Sequence, residues 1–328
     1  MKVMLAVDGS AFSRACAASL ATLPLPGNAA ATASTSRNEA AEDQDLEIMI
    51  VSVVNPPEVV VSTQSEVWYP QFIEHQEEIA KAAISQARAI LEPTKAKITS
   101  HQTAGHIGHT LVTHAENEDV DLIVVGAKGH SAITRILLGS VSDYVATHAT
   151  CDVLVIRPPV TAAIDGDATE TTDSNLASAD IVVGDVQWNE IAVTVDHREF
   201  SQAVVDRLCQ FAWSPSQHIT SMTAAVKLEA FREDVMPTAV EEGQRRRDLA
   251  MRCAEAAAER FRDAGASATA ETTETDHIGE GLIQLAESHK SDLIVLGDSG
   301  RGAISSFLLG STSKYVLRHA HCSVMIIR

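Results

Sequence analysis

The sequence predicts an α/β protein built as two tandem, open parallel-sheet domains of Rossmann-like type, and three observations predict it. Length is the first: 328 residues suit two cores of about 150 residues each better than one. The second is an internal repeat. Residues 121-DLIVVGAKGHSAITRILLGSVSDYVATHATCDVLVIRP-158 return as 292-DLIVLGDSGRGAISSFLLGSTSKYVLRHAHCSVMIIR-328 at a constant offset of 171, pairing Asp121 with Asp292, Gly126 with Gly297, Tyr144 with Tyr315 and Cys151 with Cys322. The third is alternation. In each half five short apolar strand patterns alternate with helical ones, as in a parallel sheet whose right-handed crossovers place helices on both faces.

The chain opens with 2-KVMLAVDGS-10, an apolar strand ending in Asp8-Gly9-Ser10, after which Ser10 or Ser13 can cap a helix running to Leu20. Asp8 thus stands at the carboxyl end of a strand, where open α/β sheets bind ligands, and its carboxylate suits a ribose hydroxyl or a base amino group better than a phosphate. The stretch 26-PGNAAATASTSRNEAAEDQD-45 has no apolar period and reads as a disordered surface insertion. Asp8 to Gly126 spans 118 positions whereas Asp196 to Gly297 spans 101, so the first copy carries 17 extra, close to the length of this segment.

The next strand, 46-LEIMIVSVVNPP-57, ends at a double proline, which cannot continue a central ladder. An amphipathic helical pattern from about Ser65 to Leu91 follows, then a strand near residues 95–104 and a helix from about Gly108 to Asn117. His101, His106, His109 and His114 crowd this region, but no cysteine or paired carboxylate completes a coordination set and the second copy keeps only His277 there. No metal site is expected.

The run Leu122 to Val125 is continuous, apolar and largely β-branched, as expected of a strand buried on both faces. It breaks into Gly126, then Gly129, and nine residues later into Gly139-Ser140-Val141-Ser142, where a new helical pattern begins. Glycines let backbone N–H groups approach a ligand closely, and a helix start adds its dipole and unpaired donors. That layout suits a phosphate, with the Ser140 and Ser142 hydroxyls as further donors. The strand 152-DVLVIR-157 closes a first domain of residues 1–158. A polar, acidic linker, 159–188, leads to a second domain, 189–328. There Asp196 takes the place of Asp8, with His197-Arg198 for Gly9-Ser10, and Gly297, Gly300, Gly310, Ser311, Thr312 and Ser313 repeat the loop. Among the loop positions that change, Asp298 stands for Ala127 and Arg301 for His130. The strand 218-HITSMTAAV-226 is unusually polar for a buried one.

The spacing Gly, two residues, Gly, nine residues, Gly-Ser, present in both halves, resembles the nucleotide-binding branch of the universal stress protein family. The resemblance runs from the strand before Asp8 to Arg328. It implies strand order 3-2-1-4-5 in each sheet and halves packed as a pseudo-dimer through their last strands. It also implies ATP as ligand, with magnesium as its natural counter-ion, Asp8 at the nucleoside, Val53 against the adenine and the glycine loop around the phosphates. The position matching Val53 in the second half is Ala224. A carboxylate at Asp298 about 6 Å from a phosphate, at an effective dielectric near 20, would repel it by roughly 2 to 3 kcal/mol. The first half is therefore expected to bind more tightly.

A net charge of −19 and a pI near 5.0 argue against a nucleic-acid or anionic-membrane surface. Five isolated cysteines, no charged-then-apolar leader and no apolar run of about 20 residues fit a soluble, cytoplasmic protein. The Gly-x-x-x-x-Gly-Lys-Ser/Thr loop of P-loop enzymes is missing, as is Gly-x-Gly-x-x-Gly after the first strand, and no nucleophile-base pair can be placed. No catalytic residue is assigned. The function expected is that of an ATP-binding stress-response sensor or regulator with slow turnover at most. The alternative is a structural or interaction member of the family whose loops no longer hold nucleotide. Partners expected beyond the nucleotide are a second copy of the chain or another protein.

Overall fold

The apolar runs of the sequence become the strands of one ten-stranded sheet in the computed structural model, which describes residues 1–32, 45–56, 65–128, 138–161, 182–183, 186–196, 199–227, 236–298 and 309–328. The first half runs β1 (Lys2–Ala6), α1 (Ala11–Thr22), α2 (Ala29–Thr32), β2 (Glu47–Val54), α3 (Ser65–Leu91), a 3-10 turn, β3 (Lys97–Ala104), α4 (Ile107–Asn117), β4 (Leu122–Gly126), α5 (Ser140–His148) and β5 (Asp152–Ile156). A two-stranded antiparallel pair, β6 (Val160–Thr161) with β7 (Val182–Val183), lies between the halves. The second half repeats the plan as β8 (Glu190–Thr194), α6 (Glu199–Leu208), β9 (His218–Val226), α7 (Met236–Asp263), β10 (Ser267–Thr275), α8 (Ile278–Ser288), β11 (Leu293–Gly297), α9 (Ser311–His319) and β12 (Ser323–Ile327).

The strand order is β10-β9-β8-β11-β12-β5-β4-β1-β2-β3, so each half alone has order 3-2-1-4-5. Every pairing within a half is parallel. The halves join where β5 and β12 run antiparallel, Val155 opposite Val324 and Val153 opposite Ile326. All residues of these two strands are buried, which is why both read as unbroken apolar runs. The outermost strands β3 and β10 instead carry Lys97, His101, Thr269 and Glu271 among their residues, as edges exposed on one side do.

The sheet divides the core into two layers, and each layer crosses the junction. One packs α1, α3, α6 and α7 through residues such as Leu20, Leu91, Val204 and Phe261; the other packs α4, α5, α8 and α9 through Leu111, Val145, Leu282 and Val316. Neither half owns a separate core. Among the described residues no helix is long and apolar enough to cross a membrane.

Two arginines lock the junction by exchange. The Arg157 guanidinium donates to Cys322 O at 3.4 Å and to Leu317 O at the end of α9, while Arg328 donates to Cys151 O at 3.2 Å and to Ala146 O at 2.6 Å at the end of α5. Each arginine thus satisfies last-turn carbonyls of the other half's helix, where a cation is also favoured by the dipole. Asp152, buried in β5, accepts from the Arg328 backbone N–H at 2.9 Å and from Arg207 Nε of α6 at 3.0 Å.

Three stretches differ from their sequence-based expectation. The insertion expected to be disordered over 26–45 begins with order: Asn28 is fully buried, its Nδ2 donates to Ala21 O at 3.1 Å and Leu23 O at 2.9 Å, and α2 follows. Its residues 33–44 lie outside the described ones. The end of the linker is packed as well. Val186 and Trp188 are buried, and Trp188 Nε1 donates to Ser19 O of α1 at 2.9 Å, a cross-half bond. In β9 the polar residues Thr220, Ser221 and Thr223 are buried, and Thr223 Oγ1 meets its need by donating to Val195 O at 2.9 Å.

Candidate functional site

At the carboxyl ends of the neighbouring strands β1 and β4 lie the first-half residues expected to form the site. Asp8 turns back on itself, its Oδ1 accepting from Ser10 N at 2.9 Å, with Gly9 at φ +82 supplying the left-handed step. Ser10 then caps α1 by accepting from Ser13 N at 3.1 Å. Next to it, α1 presses on the end of β4. A Cβ on Gly126 would lie 3.3 Å from Cys16 Sγ and 3.0 Å from Lys128 O, so a side chain here would crowd both. Burial first, and then the Asp8 charge, push the Cys16 thiol far above its ordinary range. That coupling places Asp8, Cys16 and Gly126 in one neighbourhood.

The loop is anchored from its far end. Gly139 N donates to Ala127 O at 2.8 Å, and Ser142 Oγ donates to the same carbonyl at 3.1 Å. A Cβ on Gly139 would come 3.2 Å from Ala127 O. The Ser142 hydroxyl is therefore engaged by the loop itself, while Ser140 is exposed and Val141 partly buried. Gly139 is the N-cap of α5 with no side-chain cap bond, so the first N–H groups of the helix lack a side-chain acceptor among the described residues. Val53 lies near the end of β2, partly buried and opposite Thr103 of β3. Gly129 falls outside the described residues.

The second half keeps the frame and changes the chemistry. Gly310 caps α9 without a side-chain bond, and Ser313 Oγ donates to Gly297 O at 2.9 Å; Ser311 is exposed and Thr312 partly buried. Asp196 is held by α6, its N–H donating to Ser201 Oγ at 3.0 Å and its Oδ1 accepting from that hydroxyl at 2.7 Å. Ala224 lies opposite Thr273, partly buried like Val53. Asp298 is not the bare carboxylate the sequence suggests. Its Oδ2 lies 3.6 Å from Arg328 Nε, in a pair whose side chains are only 19% and 8% exposed, so the repulsion estimated for an unpaired charge is overstated. Gly300, Arg301, His197 and Arg198 lie outside the described residues.

The histidines fall into a pattern that sequence reading missed. His106, Tyr144 and His148 form a ring series, with Tyr144 and His148 stacked at 4.0 Å, and His277, Tyr315 and His319 repeat it with the second pair at 4.2 Å. All three positions obey the offset of 171, which was the available signal. They bind α4 to α5 and α8 to α9. Also missed was a cavity of about 730 Å³ at the junction, lined from the first half by Phe12, Ala127 and Lys128 and from the second by Lys290 and His321.

Comparison with known proteins agrees with this architecture. The universal stress protein family model matches residues 1–157 and again 187–328. A universal stress protein of Mycolicibacterium smegmatis is 26% identical over 289 residues, 87% of this chain and 88% of that protein. The Bacillus subtilis universal stress protein YxiE is 34% identical over 125 residues, 36% of this chain and 83% of its own length. Among solved structures, a universal stress protein from Archaeoglobus fulgidus superposes with a TM-score of 0.57 at 16% identity, covering 100% of this chain and 96% of that one, which speaks for the fold alone. The chain belongs to the universal stress protein family and carries its domain twice.

Proposed function

We propose that the first-half crevice binds ATP and that the protein acts as a nucleotide-responsive regulator in a stress response, with hydrolysis slow and incidental. One observation carries this reading: the start of α5 at Gly139-Ser140, which has no side-chain cap, is held against Ala127 so closely that a Cβ at Gly139 would come 3.2 Å from that carbonyl, with Asp8 following the neighbouring strand β1. Backbone N–H groups of Gly139, Ser140 and Val141 would take phosphate oxygens, assisted by the helix dipole and the Ser140 hydroxyl. Asp8 would accept from a ribose hydroxyl and Val53 would offer its apolar face to the base, whereas Ser142 and Gly126 shape the loop. Gly129 completes the motif. Magnesium would offset the triphosphate charge in a chain of net charge −19.

The second half favours the structural reading. Asp196 and Asp8 are each engaged by a nearby serine, but beside Gly297, Gly300, Gly310, Ser311, Thr312 and Ser313 stands Asp298, ion-paired to Arg328, where the first half has Ala127. Because the two halves share one core, both are tested in the full chain. ATP at 100 times its dissociation constant should stabilise the protein by about 2.7 kcal/mol in a thermal-shift measurement. Gly139→Val should remove most of that shift and Gly310→Val little of it. No shift in the parent, or an undiminished one in Gly139→Val, overturns the assignment.

A further inference from the structure

The antiparallel meeting of β5 with β12 has a geometric consequence at the junction cavity. It brings the carboxyl ends of first-half strands, with Ala127, Lys128 and Arg157, against the amino ends of second-half strands, with Asp292 and Cys322. The walls are of two kinds. Phe12, Pro158 and Val186 give apolar surface, and Lys128, Arg157 and Lys290 bring three cations from three separate segments. The lining also holds two acids: Asp292 Oδ2 accepts from the N–H groups of Asn189 at 2.9 Å and Glu190 at 3.0 Å, and Glu287 lies 3.6 Å from His321, itself in the wall. Arg157 is committed to helix α9. Among the described residues the Lys128 and Lys290 ammonium groups have no hydrogen-bond or ion-pair partner. Lys128 is half-buried, and burial, followed by the Arg157 charge, lowers its pKa.

A partly buried cation repelled by a second cation gains from an anion brought between them. The cavity is also of the size small-molecule sites have, roughly 300 to 1,000 Å³. We propose that it binds a small organic anion, its charged group between Lys128 and Lys290 and its apolar body on Phe12, Pro158 and Val186. The pseudo-symmetric junction is of opposite character. The positions matching Ala127, Lys290 and Ser291 are Asp298, Asp119 and Val120, so the repeat preserves the frame while only one junction is cationic. A single chain with two copies can hold such a difference; a symmetric homodimer cannot.

The cavity shares Ala127 and Lys128 with the glycine loop but opens toward the second half, and binding of the small anion can be measured whether or not ATP binds. Phenyl phosphate, benzoate and neutral phenol are titrated against the full chain by calorimetry, with and without excess ATP. Phenyl phosphate should bind, benzoate should compete with it, and phenol should not. Lys128→Glu and Lys290→Glu should each weaken binding about tenfold or more by reversing a charge at close range, whereas Lys81→Glu on the exposed face of α3 should leave it within about twofold. Lys290 is exposed, so its variant keeps the test alive if Lys128→Glu fails to fold. Absence of binding by both anions, or unchanged affinity in the Lys290 variant, overturns the proposal. Displacement of phenyl phosphate by ATP overturns it too, by showing that the cations serve the nucleotide's own phosphate end.

Discussion

Replacing Gly108 with alanine separates two effects that usually act together. Gly108 lies in the first turn of α4, and a Cβ there would sit 2.8 Å from Tyr144 Cδ1, 2.9 Å from Cγ and 3.0 Å from Cβ. The ring cannot swing aside easily, because His106 and His148 flank it, and its Cβ is fixed to α5. Restoring ordinary contact would require the helices to part by roughly 0.5 to 1 Å, in a core that deforms little. Overpacking of that kind costs about 1 to 3 kcal/mol. Alanine regains up to about 1 kcal/mol of helix propensity, and less in a first turn. A net loss of roughly 1 to 2 kcal/mol follows, read as a lower urea midpoint at unchanged slope. Gly243 in α7 is the internal control. Its Cβ would meet only Arg247 Nη1 at 3.8 Å, so Gly243→Ala should stabilise by about 0.5 to 1 kcal/mol. Because Gly139 begins the helix that Gly108 packs on, Gly108→Ala should also weaken nucleotide binding. A Gly108→Ala protein as stable as the parent, with Gly243→Ala no different from it, would refute the packing argument.

Three further outcomes follow from the junction. Burial raises the Asp152 pKa in spite of its bonds from Arg328 and Arg207, so this group's contribution is full below the unfolded value of about 3.9 and is lost as pH rises through the higher folded value. Asp152→Asn should flatten stability against pH in that window, measured by urea titration at successive pH values. Arg328→Met should destabilise more than Arg157→Met, by about 1 kcal/mol or more in melting experiments. Both lose carbonyl bonds worth roughly 1.5 to 3 kcal/mol, but only the first strands Asp298. Asp298→Ala, made in the Gly139→Val background, should raise the ATP-dependent thermal shift of the second half, and no change would show that Asp298 does not limit that site.

The parallel strands and the tandem plan were legible because each rests on a pattern within some 40 residues, an unbroken apolar run or its repetition at a fixed offset, whereas strand order and the meeting of the halves at their last strands came from the family resemblance that the glycine spacing carries. What escaped was set by single contacts across long separations. Asn28 sits in a stretch of alanine, serine and acids that reads as disordered, yet its side chain meets the carbonyls at the end of α1. Trp188 looks like the tail of an acidic linker until Ser19 O is found facing its indole N–H. Asp298 and Arg328 lie 30 positions apart in sequence, so charge counting treated the aspartate as bare. The cavity had no local signal, since Lys128 and Lys290 line one space only because β5 and β12 run antiparallel.

The same exchange explains where the two copies were free to differ. Each arginine must reach the other half's helix end, so the repeat keeps Arg157 with Arg328 and Cys151 with Cys322, and only backbone carbonyls are asked of Ala146 and Leu317. The loops after β4 and β11 carry no such mutual requirement. There Ala127 leaves Arg157 facing Lys128, while Asp298 ties Arg328 to the second-half loop. Helix α5 is consequently fixed at its start by Ser142 on Ala127 and at its end by an arginine that is itself paired in the second half. Helix α9 ends on an arginine with no carboxylate at the matching loop position. A ligand that drew Arg328 toward the second loop would act on the end of α5, and by linkage a ligand fixed at the start of α5 would act on Arg328 with the same coupling energy. The path through Arg157 has no acidic partner at its loop end among the described residues, so coupling between the halves would run through Arg328 and, being one free energy, would read the same from either site.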